Sequence, residues 1–340
     1  MNDHKKILND IKKRQFKPIY FLHGEEPYFI DVISDYIASH VLTEDEKAFN
    51  QSILYGMDVS VDEVVNAAKR FPMMAEYQVV ILKEAQGLGR SNIQSKLAEF
   101  EAYFKNPQPS TILVICLKYT KADGRKGFLR AAKENGVVFE SKKLYENKIP
   151  DFIQSSLLAE GYQISPKAAF ILTEFLGTDL GKIHNELEKL KLIVPKTSEI
   201  TPEVIEKNIG FSKDFNIFEL QNALGSNDFK KAFRIINYFS QNPKDNPILG
   251  ILPLLYRYFS QLLKYHGLPD KSQKNVASQL VIHPFFVKDY VQAARVFPMK
   301  KCSYAIEVLR DVDTRVKGID SSSNVKEGDF LKEILVKIAG

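Results

Sequence analysis

The chain has 340 residues, 44% hydrophobic and 26% charged, with 47 basic against 42 acidic side chains and a formal net charge of +5. Such a composition can bury real cores, the length asks for two or three domains, and the mild basic excess permits contact with phosphates without announcing it. Cys116 in an apolar run and Cys302 in a polar one exclude a disulfide framework and a zinc site; with no signal-type apolar region and no bilayer-spanning run, a cytoplasmic protein without membrane contact is expected.

In chain order, residues 5–14 read as a short basic amphipathic helix with Ile7, Leu8 and Ile11 on one face. Pro18 to Ile30 reads as strand, glycine turn at Gly24, then helix, which is the frame of a phosphate-binding loop. A working loop ends in Gly-Lys-Ser/Thr, where Lys meets the terminal phosphates and the hydroxyl meets magnesium. Here those places hold Tyr28, Phe29 and Ile30, while Glu25 and Glu26 repel phosphate, so neither an ATP site nor any cofactor is expected. Taken alone, Gly24 marks no more than an unrelated strand-turn-helix.

A second strand is expected around Asn50 to Leu54. Ser60 with Glu63 forms a capping box opening a helix with Val61, Val64, Val65 and Ala68 on one face. Pro72 ends that helix near Arg70, because the residue before a proline is pushed out of helical geometry. Val79 to Leu82 is the continuous apolar run of a strand buried on both faces of a parallel sheet. It runs into Lys83-Glu84, so a cation stands where an ATPase would hold a metal-binding carboxylate. Between helix and strand, Phe71, Met73 and Met74 occupy a corner, where they either fold back into the core or meet another molecule; flexible Met suits the second role.

Residues 92–104 read as helical, and Thr111 to Leu117 is the strongest strand in the chain. Lys118, Lys121, Arg125, Lys126, Arg130 and Lys133 follow, a run that is either a solvated helix face or a contact for DNA. Val137 to Phe139 closes the first domain. From Leu144 the pattern is helical to the end: Ile149–Leu158, a helix opened by Ser165-Pro166, another capped by Asp179 with Leu180, Ile183, Leu187, Leu190 and Val194 in helical spacing, and one from Thr201-Pro202 to Gly210. Six more follow from Phe211, over Phe215–Leu224, Phe229–Phe239, Ile248–Tyr265, Phe285–Arg295, Lys300–Lys317 and Phe330–Ala339; Tyr256, Tyr258, Phe259 and Tyr265 read as intramolecular core.

Four segments in order carry a resemblance: Pro18-Ile19-Tyr20-Phe21-Leu22-His23-Gly24-Glu25-Glu26-Pro27-Tyr28, the corner Phe71-Pro72-Met73-Met74-Ala75-Glu76-Tyr77-Gln78, the helix from Gly177-Thr178-Asp179 to Leu190, and Asp313-Thr314-Arg315-Val316-Lys317-Gly318. Together they resemble the delta-subunit family of bacterial DNA polymerase III over essentially the whole chain. The resemblance implies an α/β plus all-α fold: a degenerate AAA+-type P-loop α/β domain over 1–142, a small helical lid over 143–210 and an all-helical collar over 211–340. It further implies a non-catalytic clamp-loader subunit that binds and opens the sliding clamp for loading onto primed DNA during replication, without ATP hydrolysis of its own, within a nucleotidyltransferase complex.

The implied partners are the sliding clamp, other loader subunits through the collar, and primed DNA within the assembly, for which Lys118, Lys121, Arg125 and Lys126 of the basic run are the candidate contacts. The family grips the clamp with two apolar side chains before an Ala-x-x-Gln motif; carried over, these fall on Met73 and Met74, with Phe71 beside them. Clamp-binding peptides carry Gln, then Leu or Met, then Phe, whereas here Lys69 stands in the Gln place and Met74 where Phe is common, which puts any polar contact by Lys69 in doubt. Two rival readings are a P-loop ATPase or nucleotide kinase with an atypical loop, and a DNA-binding helical protein.

Overall fold

Five short apolar runs decide the architecture of the first 144 residues. The computed structural model describes residues 3–89, 92–124, 126–209, 215–318 and 327–339, the side chain of Glu174 excepted. The chain divides into two compact units, Met1–Leu144 and Tyr145–Gly340.

In the first unit, α1 (Asp3–Lys12) precedes β1 (Ile19–Gly24), α2 (Pro27–His40), α3 (Glu44–Asn50), β2 (Gln51–Tyr55), α4 (Val61–Ala68), β3 (Gln78–Lys83), α5 (Ile93–Ala98), α6 (Glu101–Lys105), β4 (Thr111–Lys118), α7 (Gly127–Asn135) and β5 (Val137–Ser141). The strands form one parallel sheet in the order β2-β3-β4-β1-β5. Parallel strands need covered faces, and the central ones comply, β1, β3 and β4 being buried almost throughout. Side-chain alternation sorts them: Phe21, Val80, Leu82, Leu113 and Ile115 pack with helices α4 to α7, while α2 lies on the other face across β1, β3, β4 and β5. This is the AAA+-type arrangement expected from the sequence.

Two features of this unit were not expected. Helix α3 opens on a capping box, Thr43 with Glu46. The segment 92–104 is two helices, because the backbone turns at Glu99–Phe100 to bury Phe100 and Phe104 against the sheet.

The second unit holds α8 (Ile149–Ala159), β6 (Gln163–Ile164), α9 (Pro166–Leu176), α10 (Leu180–Ile193), β7 (Glu199–Ile200), α11 (Pro202–Ile209), α12 (Ile217–Gly225), α13 (Phe229–Gln241), α14 (Ile248–His266), α15 (Gln273–Leu280), α16 (Val287–Val296), α17 (Met299–Val316) and α18 (Glu327–Ala339). Ser165 and Asp179 cap α9 and α10 through their side chains, as their positions before each apolar pattern require. The expectation of helix throughout is corrected by β6 and β7, a parallel pair in which Ile164 lies opposite Ile200; two-residue strands carry no period to read. Helix α15 was likewise missed. Tyr258, Phe259 and Tyr265 of α14 are buried in the core that α14 forms with α13, α17 and α18, but Tyr256 is 53% exposed.

The expected lid and collar segments share this second unit, and their expected boundary at Gly210–Phe211 lies outside the described residues. A charged and aromatic seam joins them. Glu219 of α12, buried, takes Lys167 of α9 at 2.9 Å and Lys231 of α13. Burial alone would raise its carboxyl pKa, but the two lysines outweigh burial and hold it below the ordinary value. Beside it the Phe170 ring sits 4.7 Å from that of Phe218 and 4.2 Å from that of Phe286.

Both cysteines are free and buried, and burial pushes the thiol of Cys116 up to about 12 and that of Cys302 to about 11. Among the described residues no helix is long and apolar enough to cross a membrane, and no group of His, Cys, Asp and Glu could hold a metal ion.

Candidate functional site

The corner between α4 and β3 is built from the inside outward. Ser60 accepts the Glu63 N–H while the Glu63 carboxylate accepts the Ser60 N–H at 2.7 Å, so α4 starts at a fixed point. Its carboxyl end, where carbonyls lack helical partners, is tied to the sheet instead. The Gln78 side-chain amide, buried, reaches the carbonyls of Ala67, Ala68 and Arg70, while Thr111 Oγ1 and the Tyr103 hydroxyl both donate to Ala68, at 2.8 and 3.2 Å. Gln78, the last residue of the Ala-x-x-Gln motif, is thus a buried side-chain cap for the helix that precedes it.

Beyond that cap the chain bulges out. Phe71 is 76% exposed, Met73 62% and Met74 103%, so the corner does not fold back into the core. Met74 has φ +55°, in the left-handed region that costs a non-glycine residue roughly 1–2 kcal/mol. A second buried amide holds this geometry: Asn50, at the end of α3, accepts the Met73 N–H at 2.6 Å and donates to the Met73 carbonyl at 2.9 Å. Sequence reasoning missed Asn50, since a clasp between residues 23 apart leaves no local pattern. Lys69 is exposed at the end of α4.

The opposite edge of the sheet has the reverse character. Gly24 has φ +141°, and a Cβ there would lie 2.0 Å from the Ser141 carbonyl oxygen, so the turn is pressed against the end of β5. Only Glu25 and Glu26 separate Gly24 from α2. The carboxylate of Glu26 accepts the Tyr28 N–H at 3.1 Å, occupying the helix N-terminus that a phosphate would need. Phe29 and Ile30 are buried, Phe29 with its ring 4.4 Å from that of His4.

At the ends of β3 and β4 the charges close on one another. Lys118 Nζ lies 2.8 Å from both Asp31 and Glu84, and Lys83 lies 2.9 Å from Asp35. Burial opposes the charge on Lys118, yet its two carboxylate partners outweigh burial and hold it protonated, above the ordinary lysine range.

These contacts bear on the basic run. Lys118 belongs to the strand, with its side chain 11% exposed between two carboxylates, rather than to a solvated helix. Lys121 reaches Glu140 at 3.4 Å and Glu25 at 3.6 Å. Lys126, Arg130 and Lys133 are exposed at the start and along α7, and Arg125 lies outside the described residues.

The family described as DNA polymerase III, delta subunit, matches residues 20–142, and the DNA polymerase III delta subunit, C-terminal domain, matches residues 214–328. DNA polymerase III subunit delta of Bacillus subtilis (strain 168) is 28% identical over 316 residues, 92% of this chain and 91% of its own length. The solved structure of the Bacillus subtilis DNA clamp loader delta protein superposes with a TM-score of 0.58 at 26% identity, covering 99% of each chain. A shorter likeness, 24% over 141 residues, is to the Replication factor C large subunit of Methanococcus vannielii, spanning 42% of this chain and 27% of that one.

Proposed function

Starting from the fact that the chain belongs to the DNA polymerase III delta-subunit family, we propose that it works in the clamp loader as the subunit that grips the sliding clamp and opens it. The observation that carries this reading is the corner: three large apolar side chains held out in solvent by two buried amides, with one of the three residues in a strained backbone conformation. Strain and exposure together cost stability, and they persist where a partner makes use of them. Fully burying one such side chain contributes roughly 1.5–3 kcal/mol, so Met73 and Met74 with Phe71 supply several kcal/mol before the costs of association are met.

Docked in a hydrophobic groove, the corner acts as a plug on a rigid mount. Opening the ring requires more than attachment, because a subunit that bound closed and open clamp equally would shift nothing. The mount supplies that preference if the groove reaches full depth only when the ring is sprung. The chain contributes no ATP hydrolysis in this reading: its helix N-terminus is capped by Glu26 and its magnesium position is an internal ion pair. Saturable binding of magnesium-ATP by the isolated chain would overturn that part. The collar, residues 211–340, serves as the connection to the other loader subunits, and of the candidate contacts for primed DNA Lys126 is exposed at the start of α7.

The decisive experiment is titration of the purified chain with its cognate sliding clamp. Met73→Ala/Met74→Ala is expected to lower affinity at least about tenfold, as removal of interface anchors does, with an unchanged circular dichroism spectrum. Undiminished affinity in a folded double variant would end the assignment.

A further inference from the structure

Beside the corner runs an apolar stripe that α2 leaves open. The register places Ile53 beside Ile81 and Tyr55 beside Lys83, and Lys83 pairs with Asp35 of α2, so these β2 side chains lie on the α2 face of the sheet. Helix α2 spans β1, β3, β4 and β5, and the outermost strand is left with Ile53 42% and Tyr55 48% exposed. Phe49, just before the strand, is 74% exposed, and Met57, just past it, 72%. Strands of parallel sheets are ordinarily covered on both faces, and four large apolar side chains left exposed between Phe49 and Met57 are more than the scattered exposure of a monomer.

We propose that this stripe continues the corner, so that the sliding clamp covers Phe49 and the open face of β2 together with Phe71, Met73 and Met74. The proposal rests on the clamp reading above and extends its contact surface to a second segment. Continuity is the first argument: Asn50 follows Phe49 directly and holds both polar groups of the Met73 backbone, so the head of the stripe and the corner are fixed to each other. Area is the second. Weighting roughly 200 Å² for a large side chain by its exposure, the corner offers about 500 Å², short of the ~800 Å² that each side of a stable interface buries. The remainder has to come from surface next to the corner, and the stripe offers about as much again.

The test uses the full chain and the cognate clamp, comparing Phe49→Ala and Tyr55→Ala with Leu192→Ala, an 88% exposed apolar residue of the second unit. Phe49→Ala and Tyr55→Ala are each expected to weaken clamp binding about three- to tenfold at unchanged Tm, and Leu192→Ala to leave it alone. If both stripe variants bind the clamp like the parent while Met73→Ala/Met74→Ala does not, the stripe lies outside the contact and the proposal fails. It fails equally if the stripe variants impair incorporation into the loader yet keep full clamp affinity, since another subunit is then the occupant. Should the double Met variant bind undiminished, the clamp reading falls first and the stripe with it.

Discussion

At the carboxyl ends of β1, β3 and β4 the charges of this protein are turned inward on one another, Lys118 between Asp31 and Glu84, Lys83 against Asp35, Glu26 on its own helix. At the amino end of β3, by contrast, buried polar groups serve to hold apolar ones out. The carboxyl edge is where open α/β sheets receive their ligands. Here that edge is filled by ion pairs and a helix cap, while Phe71, Met73 and Met74 stand exposed ahead of the amino end of β3. In the proposed reading, such a scaffold exchanges one binding edge for another with its strand order intact, the first neutralised and the second braced.

Three substitutions separate the two edges, beginning with the largest expected effect. Lys118→Met leaves Asp31 and Glu84 facing each other without their cation. Breaking a fully buried pair costs about 3–5 kcal/mol; with each carboxylate side chain 38% exposed, about 2–3 kcal/mol is expected in urea unfolding. Clamp affinity, measured on the folded fraction, should stay at the parent value; a fall there would join the two edges into one site.

Asn50→Ala cuts the clasp on Met73 and leaves its N–H and C=O to water. A stability loss of about 1–2 kcal/mol is expected, accompanied by weaker clamp binding from a corner no longer held in place. Lower stability with full affinity would make Asn50 a fold residue only. The smallest effect on stability belongs to Met74→Gly. Glycine relieves a left-handed strain of roughly 1–2 kcal/mol and returns roughly 0.5–1 kcal/mol as chain entropy. Tm should therefore hold or rise slightly while clamp binding drops severalfold, a combination that a purely structural Met74 could not give.

Much of the first unit was legible because its signals are local. Ser60 with Glu63 announced the start of α4, Pro72 its end, and the runs at Val79 and Thr111 the central strands. The site was legible in part. A Met pair at a corner reads the same whether it folds inward or outward, so the sequence pattern left both outcomes open and only the exposure of Met73 and Met74 decided between them. Lys118 was grouped with the basic residues that follow it, although strand alternation from Cys116 already turned it toward α2. The partners that matter most, Asn50 for Met73, Gln78 for Ala68, Asp31 for Lys118, come together only when the sheet is assembled. Two-residue strands such as β6 and β7 lie below the length at which any period exists.

The two amides that brace the corner also determine what a copy of it would be worth. A linear peptide spanning residues 69–78 would carry every apolar group of the knob but would lack Asn50, Tyr103 and Thr111, and so would sample many shapes before meeting a groove. Its affinity should fall well short of that of the intact chain, and a mimic intended to block the ring would need a cyclic linkage or a borrowed asparagine to recover the difference.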